Sequence, residues 1–200
     1  MFDRFFDLIR AVPAPVDAEL LFGHDELGRL RERNLRRYLS APHAPILLLG
    51  EAPGWRGMTV TGVPFTSVRE VEAGMLPGLE LPPEPQAPWE ASSRVFWDTM
   101  RQWTGPLPLS WPVYPHHPFV AGRPQTNRTP RSSEVRAGGP VAEELIRVLD
   151  IQTVVAVGRK AQGALAEAGI EAPAIRHPAQ GGARMFTEQL LALNRAMLEA

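Results

Sequence analysis

The sequence predicts a three-layer α/β/α fold with a short central, mostly parallel sheet. Three observations carry this expectation. Apolar runs ended by glycine, Ile46–Leu49 before Gly50 and Thr153–Val157 before Gly158, have the pattern of buried strands. Helix-like segments separate the strand-like ones, and such alternation puts helices on both faces of a parallel sheet. The chain has 200 residues, 44% of them hydrophobic, which suits one sizeable core and is too little for two. Residues 1–200 are therefore read as a single domain.

The elements follow in order. Residues 1–10 form a short helix with Phe2, Phe5, Phe6 and Ile9 on one side. Residues 25–39 form a second helix, with Leu27, Leu30, Leu35, Tyr38 and Leu39 buried and the arginines facing water. A glycine- and proline-rich loop runs from the first strand to about Phe65, and a helix covers 93–103. A strand over 109–114 contains Pro112, which is tolerated at an edge or a strand end. After a long loop to Arg131, Ser132 or Ser133 caps a helix whose core face is Val141, Leu145, Val148 and Leu149. The strand at 153–157 is followed by a helix over 160–168 that stops at Gly169, a short strand over 174–176 and a last helix over 183–199.

Composition narrows the chemistry. The formal net charge is −1, so any nucleic-acid surface must be a local patch. Cysteine is absent, which removes disulfides, zinc ribbons and thiolate-held iron–sulfur clusters. The start MFDRFFDLIRAV lacks the basic beginning and apolar run of a signal peptide, and no stretch approaches a membrane span. A cytoplasmic monomer with no membrane partner is expected.

Ligands of such folds bind beyond the carboxyl ends of the strands, so three loops matter. The first, Gly50 to Ser67, reads GEAPGWRGMTVTGVPFTS, with glycines that permit close backbone approach and Phe65 placed in a loop. It suits a base-binding pocket, which needs an aromatic face and backbone hydrogen-bonding groups, a phosphate-binding turn, or simply a tight strand-to-helix connection. The second carries the pair His116 and His117, then Asn127, Arg128 and Arg131. Adjacent histidines with no spaced third ligand make a poor zinc signature, so no metal is expected. The Asn–Arg group before a helix suits an anion site or a capping cluster. In the third, RHPAQGGARMF, His177 is held by a proline and followed by two glycines, a place from which it can donate to a developing anion.

Taken in order, GEAPG with GVPF, then WPVYPHHP with TNRTP, VVAVGRKAQGAL and HPAQGG resemble the motifs of the uracil-DNA glycosylase superfamily. The first motif is similar to that of its iron–sulfur branch, whose cluster a cysteine-free chain cannot carry. The middle motif is similar to a cysteine-free bacterial branch. No cofactor is expected. The resemblance implies hydrolysis of the N-glycosidic bond of uracil or a related deaminated or damaged base in DNA after base flipping, without lyase activity. It gives Phe65 the stacking role and His177 the donor to the base carbonyl. Ala52, Pro53 and Gly54 line the pocket with their backbone. The stretch from Ala179 through Gln180, Gly181 and Gly182 to Arg184 becomes the loop that enters the minor groove.

Two positions depart from the pattern. Ala52 stands where some members carry a water-positioning Asp or Asn, which leaves Glu51 as the acid of the loop. Pro112 stands at the asparagine that reads the base edge, and loss of such a reader costs roughly 1–3 kcal/mol of discrimination. Either His116 or His117 compensates, or the pocket takes another base. DNA contacts are expected from Arg56, Asn127, Arg128, Arg131, Arg159, Lys160, Arg176 and Arg184. The rival readings are a catalytically weak or inactive lesion-binding module on the same fold and a small-molecule nucleotide-binding α/β enzyme, although neither a Walker lysine motif nor GxGxxG follows the first strand.

Overall fold

The computed structural model describes residues 1–84 and 90–199. Four strands form the central sheet: β2 (His43–Gly50), β3 (Leu107–Pro112), β5 (Thr153–Val157) and β6 (Ala174–Ile175). Their spatial order is β3-β2-β5-β6, and each neighbouring pair runs parallel. Consecutive residues of β2 point to opposite faces, as strand geometry requires. Leu47 and Leu49 enter one apolar cluster, whereas Ile46 and Leu48 enter a second.

Helices cover both faces. The first cluster receives Phe5 and Phe6 from α1 (Asp3–Ala11), Leu35 and Leu39 from α2 (Glu26–Ser40), Val141 and Leu145 from α6 (Ser132–Val148), and Leu165 from α7 (Arg159–Glu167). The second receives Phe96 and Trp97 from α5 (Ala91–Met100), with Phe186 and Leu190 from α8 (Ala183–Leu198). The result is the three-layer α/β/α arrangement with a short parallel centre. Among the described residues no helix is long and apolar enough to cross a membrane.

The smaller elements lie between these. They are the ribbon of β1 (Ala18–Glu19) with β4 (His117–Pro118), paired antiparallel, and the short helices α3 (Met58–Thr61) and α4 (Val68–Glu72). At two to five residues they are too short for hydrophobic periodicity to reveal. Pro112 is the last residue of β3, an edge strand, where its missing N–H costs no ladder bond.

Several local expectations need correction. The arginines of α2 do not all face water. Arg31 is buried, with Nε donating to the Thr59 carbonyl at 2.7 Å and Nη2 paired with Glu19 at 2.6 Å. Neither Ser132 nor Ser133 caps α6. Arg131 holds the N-cap position, and its N–H donates to the Glu134 carboxylate at 2.7 Å. Val148 and Leu149 are half-buried at the margin of the core. The sequence also carries an acidic, proline-rich insert, Gly78–Glu90, of which residues 85–89 lie outside the described residues. Its beginning is fastened to α2: Asn34 accepts from the Glu80 N–H and donates to the Glu80 carbonyl, both at 2.8 Å.

From β2 the chain moves to β3 on one side, then crosses to β5 on the other. The loops leaving the carboxyl ends of β2 and β5 therefore diverge, and a crevice opens between them.

Candidate active site

A cavity of about 840 Å³ occupies this crevice. It is lined by residues at or just beyond the carboxyl ends of all four parallel strands: Gly50–Gly54, Pro112, Gly158–Lys160 and Arg176–His177. Its size falls within the range of small-ligand sites.

Phe65 forms one wall. Its backbone is left-handed, with φ of 49°, and its carbonyl accepts from Trp97 Nε1 at 3.0 Å. One face of its ring is stacked on Phe96, with centroids 4.9 Å apart and planes 7° from parallel. The ring is thus fixed from behind and borders the cavity.

His177 stands across from it, ring centroids 6.4 Å apart. Its Nδ1 accepts a hydrogen bond from the Ala179 N–H at 3.1 Å. A nitrogen that accepts carries no proton, so the neutral ring is the Nε2–H tautomer. Burial, helped by the neighbouring Arg176, pushes the imidazole pKa below its ordinary value and keeps the ring neutral. Glycines make room for it. Gly158, with φ of 94°, would place a β-carbon 3.0 Å from the His177 β-carbon, and any β-carbon on Gly182 would collide with the His177 carbonyl oxygen. Gln180 and Gly181 continue the loop with φ of 53° and 74° and are exposed at the rim.

Glu51 and Ala52 line the cavity, both half-buried. Burial raises the Glu51 carboxyl above the usual range, opposed by Lys160 and by a hydrogen bond from Thr129. Lys160 Nζ itself donates to Thr129 Oγ1 at 3.1 Å. Ala52 brings no polar side chain. Pro53 and Gly54 line the floor, with Pro112 beside them.

The histidine pair lies elsewhere. His116 is fully buried, with Nε2 against the Val12 carbonyl at 3.0 Å, and burial lowers its pKa. His117 is also fully buried. Its Nδ1 meets the Pro53 carbonyl at 2.9 Å and its Nε2 the Pro124 carbonyl at 3.2 Å. Neither lines the cavity, so neither replaces the missing reader at Pro112; they tie loops together.

Arg128 is likewise corrected. Its guanidinium is taken by Glu134, at 2.7 Å from both Nη1 and Nη2, and by Asp17 at 3.2 Å. Arg131 shares the same two carboxylates. The Arg131 hydrogen bond and the charge of Arg128 hold the Asp17 carboxyl well below the ordinary range. The anion expected before α6 is thus supplied by the protein itself, leaving Arg128 no donor for phosphate. Arg56, Arg159, Lys160, Arg176 and Arg184 are exposed, with Arg56 lying over the Trp55 ring at 4.4 Å. Arg184 is set along α8, 3.7 Å from Glu188.

Two further residues line the cavity, one of them assigned no role by sequence reasoning. Asn127, taken for a phosphate contact, lines the cavity and accepts from the Trp55 N–H through Oδ1 at 3.1 Å. Glu90, the last residue of the insert, also lines it. Neither spacing nor periodicity signals Glu90, because residues distant along the chain define its surroundings.

The model of the uracil DNA glycosylase superfamily matches residues 37–195, most of the chain. The chain belongs to that superfamily. Thirteen solved chains match its structure. One is the wild-type SMUG2 of Pedobacter heparinus, with 16% identity, a TM-score of 0.65, and 99% of this chain and 98% of that chain covered. At that identity the likeness speaks for the fold. No curated protein matches the sequence. The superfamily chain carries its Phe65–His177 pair across a cavity at the sheet's switch point.

Proposed function

We propose that this protein is a monofunctional DNA glycosylase that hydrolyses the N-glycosidic bond of uracil or a related deaminated or damaged base after the base is flipped from DNA. The observation that carries the reading is the tautomer of His177. A neutral imidazole whose proton sits on Nε2, lining the same cavity as the Phe65 ring, is a preorganised donor to a base carbonyl.

Chemistry follows from charge. As the C1′–N bond breaks, its electron pair leaves with the base, and positive charge grows on the sugar. His177 donates to the carbonyl that takes up the negative charge. Phe65 holds the base by stacking. Water attacks C1′ and gives up its proton. Glu51, whose carboxyl is raised by burial and opposed in this by the charge of Lys160, is the acid of the loop; its ionised form can hold that water and accept the proton. Gln180, Gly181 and Gly182 take the place of the flipped base in the duplex, and Arg56, Arg159, Lys160 and Arg176 meet phosphates.

Base release from oligonucleotides bearing uracil, hypoxanthine or xanthine tests this. His177→Ala is expected to lower it by about 10²–10³-fold. Full activity in the variant defeats the assignment. Ala52 favours a second reading, a lesion-binding module without turnover, since no side chain there can hold water. Tight, salt-dependent binding of uracil-DNA by a wild type that releases no base from any substrate would establish that one.

A further inference from the structure

Pro112 leaves the cavity without a base-reading side chain on β3, and the buried histidines do not supply one. The cavity nevertheless carries a polar pair in its lining, half-buried Glu90 and exposed Asn127. Gly54 has no side chain, and two groups flank the space a β-carbon there would occupy: Glu90 Oε1 at 3.0 Å and Asn127 Nδ2 at 3.8 Å. Gly57 makes the same concession, since a β-carbon on it would collide with Glu90 Oε2. The two glycines thus make a seat for the Glu90 carboxyl.

The polarity of the pair is set by its other bonds. Asn127 spends Oδ1 on the Trp55 N–H; among the described residues Nδ2 has no partner, and it only donates. Among the described residues no ion pair holds Glu90; its hydrogen bond comes from Ser93 Oγ at 3.4 Å. Burial raises its pKa, with the Ser92 and Ser93 hydroxyls opposing, Glu70 adding to the rise and Arg56 acting against it. Even half-buried, a carboxyl without a cation in contact carries a desolvation cost that a ligand's hydrogen bond would offset.

We propose that Glu90 is the specificity-determining residue of this site, reading the flipped base together with Asn127. Resting on the glycosylase reading, the inference names the edge recognised. Ionised Glu90 accepts and Asn127 Nδ2 donates. That order is complementary to the N3–H and C4=O of uracil, and to the equivalent N1–H and C6=O of hypoxanthine and xanthine. Cytosine presents the reverse, a bare ring nitrogen and an amino group, so it faces an acceptor with an acceptor and a donor with a donor. Such a pair selects deaminated bases by their lactam edge and rejects their amino parents.

The experiment compares wild type, Glu90→Ala and Glu90→Gln on oligonucleotides carrying uracil or cytosine at one position. Base release and DNA affinity are both measured, and thermal unfolding shows that each variant is folded. Glu90→Ala is expected to lose about 10- to 100-fold in uracil release. Glu90→Gln keeps an oxygen that accepts from N3–H and should retain most uracil release. Its amide can also turn its NH₂ toward cytosine N3, so its preference for uracil over cytosine should fall. A purely structural glutamate would not move that ratio. Wild-type rate and wild-type preference in both folded variants overturn the inference while leaving the glycosylase reading intact. If the wild type binds without turnover, the same ratios are read from Kd. A wild type that neither releases nor prefers uracil defeats the functional reading, and the inference with it, before any variant is compared.

Discussion

Phe65 offers a direct test of whether the cavity holds a base by stacking. Its ring is fixed from behind by Phe96 at 4.9 Å and 7°, so only its outer face is free for a ligand. Removing that face in Phe65→Ala takes away one base–aromatic stack, about 1–3 kcal/mol, or roughly 5- to 150-fold in kcat/KM at 1.4 kcal/mol per decade. The backbone does not confuse the reading. Phe and Ala meet the same penalty at φ of 49°, and Phe65→Gly relieves it while removing the same ring. Ala and Gly variants should therefore lose similar activity and differ in stability, with Gly the more stable at this position. Phe65→Trp, which keeps a π face, should retain most of the rate. The assay is kcat/KM for uracil release, with thermal unfolding on the same samples. A folded Phe65→Ala protein that works at the wild-type rate would show that the base does not stack there.

Other consequences concern the charged cluster behind the cavity. Arg128→Ala leaves the carboxylates of Asp17 and Glu134 with only the half-exposed Arg131, and should cost roughly 3 kcal/mol. For a chain of this size that is about 6–12 °C in Tm by differential scanning fluorimetry. The same variant should leave the salt dependence of DNA binding unchanged, whereas Arg159→Ala should reduce the slope of log affinity against log salt by about one. Equal slopes in both would remove Arg159 from the interface. Since its arginine partners hold the Asp17 carboxyl below its unfolded value, its stabilising contribution is complete above about pH 4 and is lost as pH falls toward the folded value. Acid titration of the wild type should show this loss, and Asp17→Asn should flatten it.

The layer order and the site's framework were legible in the chain, for a physical reason. Ile46–Leu49 and Val154–Val157 are apolar over their whole length because both sheet faces are covered, and the glycine after each marks where the backbone turns along the cavity. Phe65 and His177 stood out because each sits in a glycine- and proline-marked loop at a strand's carboxyl end, and chain order alone brings those ends to one edge.

What escaped the sequence depends on partners far apart along it. Arg128 looked like a phosphate contact beside a helix N-terminus until Asp17, 111 residues away, and Glu134 filled its donors. His116 and His117 looked available until Val12 and Pro53 closed over them. Arg31 lies on the arginine-rich helix yet is buried, because Thr59 and Glu19 come to it from other elements. Glu90 had no pattern at all. Periodicity reports which face of an element is apolar. The use to which a polar side chain is put depends on which unpaired group the fold sets within about 3 Å of it, and that distance is decided only by tertiary packing.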